Sequence, residues 1–114
     1  NIAVMMNGKG EFDYCPIFDN GGALLTDTTM DYPLDQDELL LMKEVHAKTI
    51  SSDFDEQLDA SEHFYGRNLR FSFTKKDVER LLAKPELNMY DMRIRTRVAN
   101  IFYQRMNKYK YLFY

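Results

Sequence analysis

Tryptophan is absent from this chain, and cysteine occurs once, at Cys15. A single thiol cannot close an internal disulfide, so packing and hydrogen bonds must hold the fold, as in a reducing compartment. Histidine is nearly as scarce. His46 and His63 are too few and too far apart to build a zinc site with that one thiol. Apolar runs such as Leu39–Met42 fall far short of the roughly 20 residues a spanning helix needs, which excludes a transmembrane segment. No basic-then-apolar leader is present, and a cytoplasmic protein is the expectation. The motifs His-Glu-x-x-His, Gly-x-Ser-x-Gly, Gly-x-Gly-x-x-Gly and the P-loop are missing. The acidic run Asp27, Asp31, Asp35 and Asp37 lacks the glycine that a calcium loop carries at its sixth position, and reads as a solvated loop.

What the chain does have is one domain's length, 114 residues, and many aromatics: eight Tyr and eight Phe. A domain of this size buries a modest core. Its net charge of −3 conceals a strong asymmetry. Residues 1–62 carry 14 acidic and 3 basic side chains, whereas residues 63–114 carry 4 acidic and 12 basic. Either the halves attract one another within the fold, or the second half offers a basic surface to a polyanion.

Ile2, Val4 and Met6 alternate with Ala3 and Met5 as a strand does. Asn7-Gly8-Lys9-Gly10 supplies a tight turn, with φ > 0 expected at Asn-Gly, and Phe12–Phe18 reads as the returning strand with Pro16 near its end. Asp19-Asn20-Gly21-Gly22 is a turn cluster. Asp35 is a candidate cap for a helix over 36–48, and Ser51 or Ser52 for a helix over 53–64. Tyr65-Gly66-Arg67-Asn68 breaks the chain, and Leu69, Phe71 and Phe73 suggest a short extended piece. Thr74 and Asp77 have capping-box spacing ahead of a helix with Val78, Leu81 and Leu82 inward, ended by Pro85. From Asn88 to Tyr114 one long helix is expected, with Ile94, Val98, Ile101, Met106, Tyr109 and Phe113 as its apolar stripe and Phe102 widening it.

Two constellations bear on chemistry. The last helix carries Arg93, Arg95, Arg97, Arg105, Lys108 and Lys110 against one acid, Asp91. Such a helix is either a solvated or internally paired face, or a nucleic-acid surface. At the other end, the hairpin brings Asn1, at the start of one strand, towards Asp19, at the end of its partner. Two adjacent oxygen donors suit Mg²⁺, which completes its octahedron with waters and substrate phosphates. Protein kinases hold their ions with a catalytic-loop Asn and an Asp at the end of the next strand. Ordinary turn residues are the alternative.

Asn1-Ile2-Ala3-Val4, a hairpin, and then Cys15-Pro16-Ile17-Phe18-Asp19-Asn20-Gly21-Gly22-Ala23-Leu24-Leu25 resemble the catalytic core of the HipA-like serine/threonine protein kinases. In that family an Asp-Arg-His-x-x-Asn motif precedes the first strand and a Pro-x-(Tyr/Phe)-Asp motif closes the second. Asn1 matches the last residue of the former and Asp19 the metal-binding Asp of the latter. Residues 51–58, Ser-Ser-Asp-Phe-Asp-Glu-Gln-Leu, resemble a weaker helical signature of the same proteins. The resemblance implies a single α+β, mainly helical unit: an N-terminal β-hairpin packed on three to four α-helices, the C-lobe part of a kinase-like fold. Residues 1–25 would be the metal-site hairpin and turn, and residues 35–114 a helical subdomain. It also implies Mg²⁺ and ATP as cofactors of the full-length bacterial kinase, a protein substrate, and a toxin role with a DNA-binding antitoxin partner. The family's general base lies five residues before the motif Asn, and its ATP-binding lobe lies further upstream, so neither is in this chain. The chain alone is therefore expected to be inactive and to hold neither ATP nor Mg²⁺ tightly. The competing expectation is a non-catalytic helical module binding a protein or nucleic acid through its basic C-terminal helix.

Overall fold

The structure is a computed structural model that describes residues 3–44, 46, 48 and 51–113. It is an α+β fold, mainly helical, with a two-stranded antiparallel hairpin followed by four α-helices. Strands β1 (Val4–Met6) and β2 (Phe12–Tyr14) pair Val4 with Tyr14 and Met6 with Phe12, and the Cys15 amide donates to the Ala3 carbonyl at 2.9 Å beyond them. Asn7 builds the turn through its side chain: its Oδ1 accepts from the amides of Lys9 (2.8 Å) and Glu11 (3.1 Å). The positive φ the turn needs falls on Gly10 (79°) and not on the Asn-Gly pair. β2 stops well before the expected Phe18, since Pro16 has no amide to extend the ladder.

The helices are α1 (Glu38–Glu44), α2 (Phe54–Tyr65), α3 (Lys75–Leu82) and α4 (Met92–Lys108). α1 starts later than expected because Asp37, not Asp35, takes its first amides: Asp37 Oδ1 accepts from Leu39 (2.8 Å) and Leu40 (3.2 Å). His46 and Lys48 are not helical, and residues 45 and 47 of the expected helix lie outside the described residues. At α2 the cap is Asp53, whose Oδ1 accepts from the Asp55 (2.7 Å) and Glu56 (3.2 Å) amides; Ser51 supports it by accepting from the Asp53 amide. Gly66, with φ 76°, ends the helix where the break was read. The Thr74–Asp77 capping box of α3 is fully formed. Val78 is buried as expected, but Leu81 stays half-exposed. The expected single helix from Asn88 is divided. Pro85–Met89 forms a 3₁₀ turn, and Asp91 then caps α4 by accepting from the Arg93 amide at 2.8 Å. A further 3₁₀ turn, Lys110–Leu112, follows α4. The extended piece at residue 71 pairs with the end of the chain, as the Phe71 amide donates to the Leu112 carbonyl (2.8 Å).

The core gathers Leu25, Leu41 and Ile101, with Leu24, Tyr32 and Met42 packed against it; Leu58, Val78 and Leu112 are buried elsewhere. Packing joins α3 to α4, and joins the 3₁₀ turn Ala23–Leu25 to α1 and α4. All six residues of the hairpin strands are exposed, which corrects the expectation of a hairpin packed on the helices. Val4, Met5 and Met6 are apolar in succession, so both faces of the ribbon need cover, and none of the described residues buries either one. No helix among the described residues is long and apolar enough to cross a membrane.

Candidate functional site

The Pro16-Ile17-Phe18-Asp19 segment leaves the hairpin and delivers Asp19 to an exposed turn in the left-handed region, φ 54°. Asp tolerates that region better than most residues because its short side chain bonds locally. Asn1 lies outside the described residues, so the structure places only one of the two expected metal ligands. Among the described residues no group of three or more His, Cys, Asp or Glu side chains gathers as a metal site. A magnesium site completed by phosphate oxygens needs only one or two carboxylates, and an exposed Asp19 carboxylate is a donor of the right kind.

Directly after Asp19 the chain folds into a tight knot. The Ala23 amide donates to the Asn20 carbonyl (3.0 Å), and Thr26 Oγ1 lies 2.8 Å from the Gly21 carbonyl and 2.7 Å from that of Ala23. Leu24 and Leu25 both adopt positive φ, 57° and 59°. For residues with a branched apolar side chain this costs about 1–2 kcal/mol each, so surrounding structure must hold them there. Part of that hold is packing: Leu25 is buried against Leu41 and Ile101.

The rest comes from Arg97, which is 4% exposed. Its Nη1 donates to the carbonyls of Tyr32 (2.5 Å) and Leu25 (3.3 Å), and its Nη2 to those of Pro33 (2.8 Å) and Gln36 (3.4 Å). A buried guanidinium normally meets a carboxylate. Here backbone dipoles from one segment satisfy it, and α4 thereby grips the chain from Leu25 to Gln36 as a unit. Sequence reasoning grouped Arg97 with the other cations of the last helix as solvated or paired. The signal was its position, three residues after Ile94 and four before Ile101, on the apolar stripe.

The other cations of that helix are mostly engaged as well. Arg93 makes a two-pronged pair with Asp91 (Nη2–Oδ2 3.0 Å), which holds the Asp91 carboxyl below its usual range. Arg95 Nη1 donates to Asn88 Oδ1 at 3.0 Å, and its Nε is buried without an acceptor among the described residues. Lys108 meets Asp55 at 2.6 Å. Beside the Asp19 turn, Asn20 and Gly21 form one wall of a hollow of about 460 Å³, with Tyr90, Ile94 and Arg95 opposite. Compared with known proteins, the chain matches no family model, no curated protein and no solved structure.

Proposed function

We propose that this chain is the C-terminal part of a HipA-like, ATP- and Mg²⁺-dependent serine/threonine protein kinase, with Asn1 and Asp19 as metal ligands. The observation that carries the reading is the Pro-Ile-Phe-Asp turn. It follows directly on the hairpin, presents a carboxylate in a left-handed conformation, and runs into a segment gripped by Arg97. A metal-binding carboxylate has to be held in place against the phosphates it helps to neutralise, because phosphoryl transfer depends on positioning and charge stabilisation. In this reading Asp19 holds Mg²⁺ together with Asn1, and the ion would supply charge neutralisation on the ATP phosphates. The exposed apolar hairpin is then the side on which the rest of a catalytic domain packs.

The test is a chain extended upstream through an Asp-Arg-His-x-x-Asn motif ending on Asn1. Its Mg²⁺-dependent phosphorylation of a protein substrate should fall by at least about a hundredfold in Asp19→Ala, the loss typical of removing one transition-state charge stabiliser. An unchanged rate would remove Asp19 from the metal site. For residues 1–114 alone, isothermal titration should show ATP binding weaker than micromolar.

A further inference from the structure

Arg105 is the cation of α4 whose situation none of the foregoing explains. It is half-buried and its charge reaches Asp55, yet among the described residues its guanidinium makes no hydrogen bond and no ion pair. It lines a cleft of about 520 Å³ between the end of α1, the start of α2 and the last turn of α4. Lys43 and His46 line the same cleft, and Met42 and Phe54 give it an apolar side.

The two acids there are already committed. Asp53 Oδ1 accepts two amides of the first turn of α2. Asp55 is occupied at both oxygens: Tyr109 Oη donates to Oδ1 at 2.6 Å, and Lys108 Nζ lies 2.6 Å from Oδ2. The bond from Lys108, then that from Tyr109, holds the Asp55 carboxyl below its ordinary value. Phe54 sits edge-on to Tyr109, with ring centres 5.8 Å apart, so this floor is packed as well as paired. Asp55 is bonded to Lys108 and also feels the charge of Arg105, yet with both acids counted the cleft carries three cations, Arg105, Lys43 and Lys108, against the two carboxylates of Asp53 and Asp55. Its unfilled need is an anion with several acceptor oxygens, carried on an apolar or aromatic body that can lie on Met42 and Phe54.

We propose that this cleft binds a phosphate monoester, its oxygens on Arg105 and Lys43 and its organic group on Met42 and Phe54. Nothing in this depends on the Asp19 reading, and Asp19→Ala leaves the site intact. The monoester is either a small molecule or a phosphorylated side chain of a protein, and two probes separate these sources.

Phenyl phosphate and a five-residue phosphotyrosine peptide are titrated into the chain while the Arg105 Nε–H and the backbone amides of Met42, Lys43 and Asp55 are followed by NMR. Saturable shifts are expected for phenyl phosphate, complete by about 10 mM. Benzyl alcohol, of similar shape and no charge, should bind at least about tenfold more weakly, as should phenyl phosphate to Arg105→Gln, because a charge-assisted hydrogen bond is lost. Arg105→Lys keeps the charge and the apolar stem and should recover part of the affinity. Arg93→Gln should bind as the parent does. Tighter binding of the peptide assigns the site to a protein segment, and equal or weaker binding assigns it to a small phosphate ester. Absence of saturable shifts, equal binding of benzyl alcohol, or equal affinity of Arg105→Gln in a variant with unchanged circular dichroism would overturn the proposal. So would preference for single-stranded DNA over phenyl phosphate with a steep salt dependence.

Discussion

Arg97 draws its acceptors from four carbonyls spread over Leu25 to Gln36, and no other residue type reaches so many at once. The guanidinium presents five donors in a fixed plane, whereas an ammonium offers three on a flexible stem. Arg97→Leu would fill much of the volume but leave those carbonyls without donors. Each buried unsatisfied group costs about 1–3 kcal/mol, so with partial relaxation a loss of about 2–4 kcal/mol is expected by urea denaturation. Hydrogen exchange at residues 23–36 should accelerate more than exchange within α3. A variant as stable as the parent would show that the grip is incidental. The position of Arg97 on the buried stripe was legible in the sequence. Its partners were not, because they are main-chain carbonyls brought together by the fold across more than sixty residues. Asp55 illustrates the same gap. The residue lay inside a recognised helical stretch, but its partners Lys108 and Tyr109 come from the far end of the chain. Its lowered pKa contributes stability that is present above its ordinary value of 3.8 and lost as pH falls through the lower folded value. Acid titration followed by circular dichroism should therefore show a smaller loss of stability below pH 3.8 in Asp55→Asn than in the parent. The Asn variant should also be less stable at neutral pH. Equal acid profiles would mean that the pair is fully screened by solvent.

Each of the described α-helices begins on an oxygen-bearing side chain that takes one or more orphan amides: Asp37, Asp53, Thr74 and Asp91. These signals are local, which is why helix types and rough positions were readable. Exact starts were less so wherever several Asp and Ser residues compete, as at Asp35 and Asp37 or at Ser51, Ser52 and Asp53. The winner is the residue whose backbone is extended just where packing of the apolar face sets the helix phase, and phase is a tertiary property. The long last helix failed in a similar way. Pro85 and Asp91 bracket a 3₁₀ turn, and without Gly or a further Pro the segment between them reads as continuous helix. The α3 box is the cleanest case for measurement. Thr74 Oγ1 accepts from the Asp77 amide at 3.3 Å, and Asp77 Oδ2 accepts from the Thr74 amide at 2.7 Å. Thr74→Ala should cost about 1 kcal/mol. In a double-mutant cycle with Asp77→Ala the two losses should fall short of additive, because the Thr74 hydroxyl also donates to Asp77 Oδ2 at 2.7 Å and either substitution alone removes that shared bond. Strict additivity would mean that the two bonds act independently.

At the scale of the whole molecule the chain is more open than its length requires. Its radius of gyration is 16.7 Å, against about 13 Å for a compact domain of this size. Among the described residues the large apolar side chains left exposed outnumber those buried, and the hairpin and the following Ile17 and Phe18 supply a contiguous share of them. The charge asymmetry resolves only in part, since Lys108–Asp55 is the one long-range ion pair among the described residues and Arg97 answers carbonyls instead of acids. Stability should therefore be graded along the chain. A two-stranded ribbon has little standing of its own in water and relies on a covered face, and here both faces are open. α4, by contrast, places Ile101 and Arg97 in the interior. Native-state hydrogen exchange should find the β1 and β2 amides exchanging nearly as fast as an unstructured chain, while amides around residues 97–101 open only with global unfolding. If the chain is extended upstream into the catalytic domain that the proposed function requires, hairpin protection should rise towards that of α4 while α4 itself changes little. Strong hairpin protection in residues 1–114 alone would mean that the ribbon is covered by a contact of the isolated chain. The open faces would then lend nothing to the proposed function.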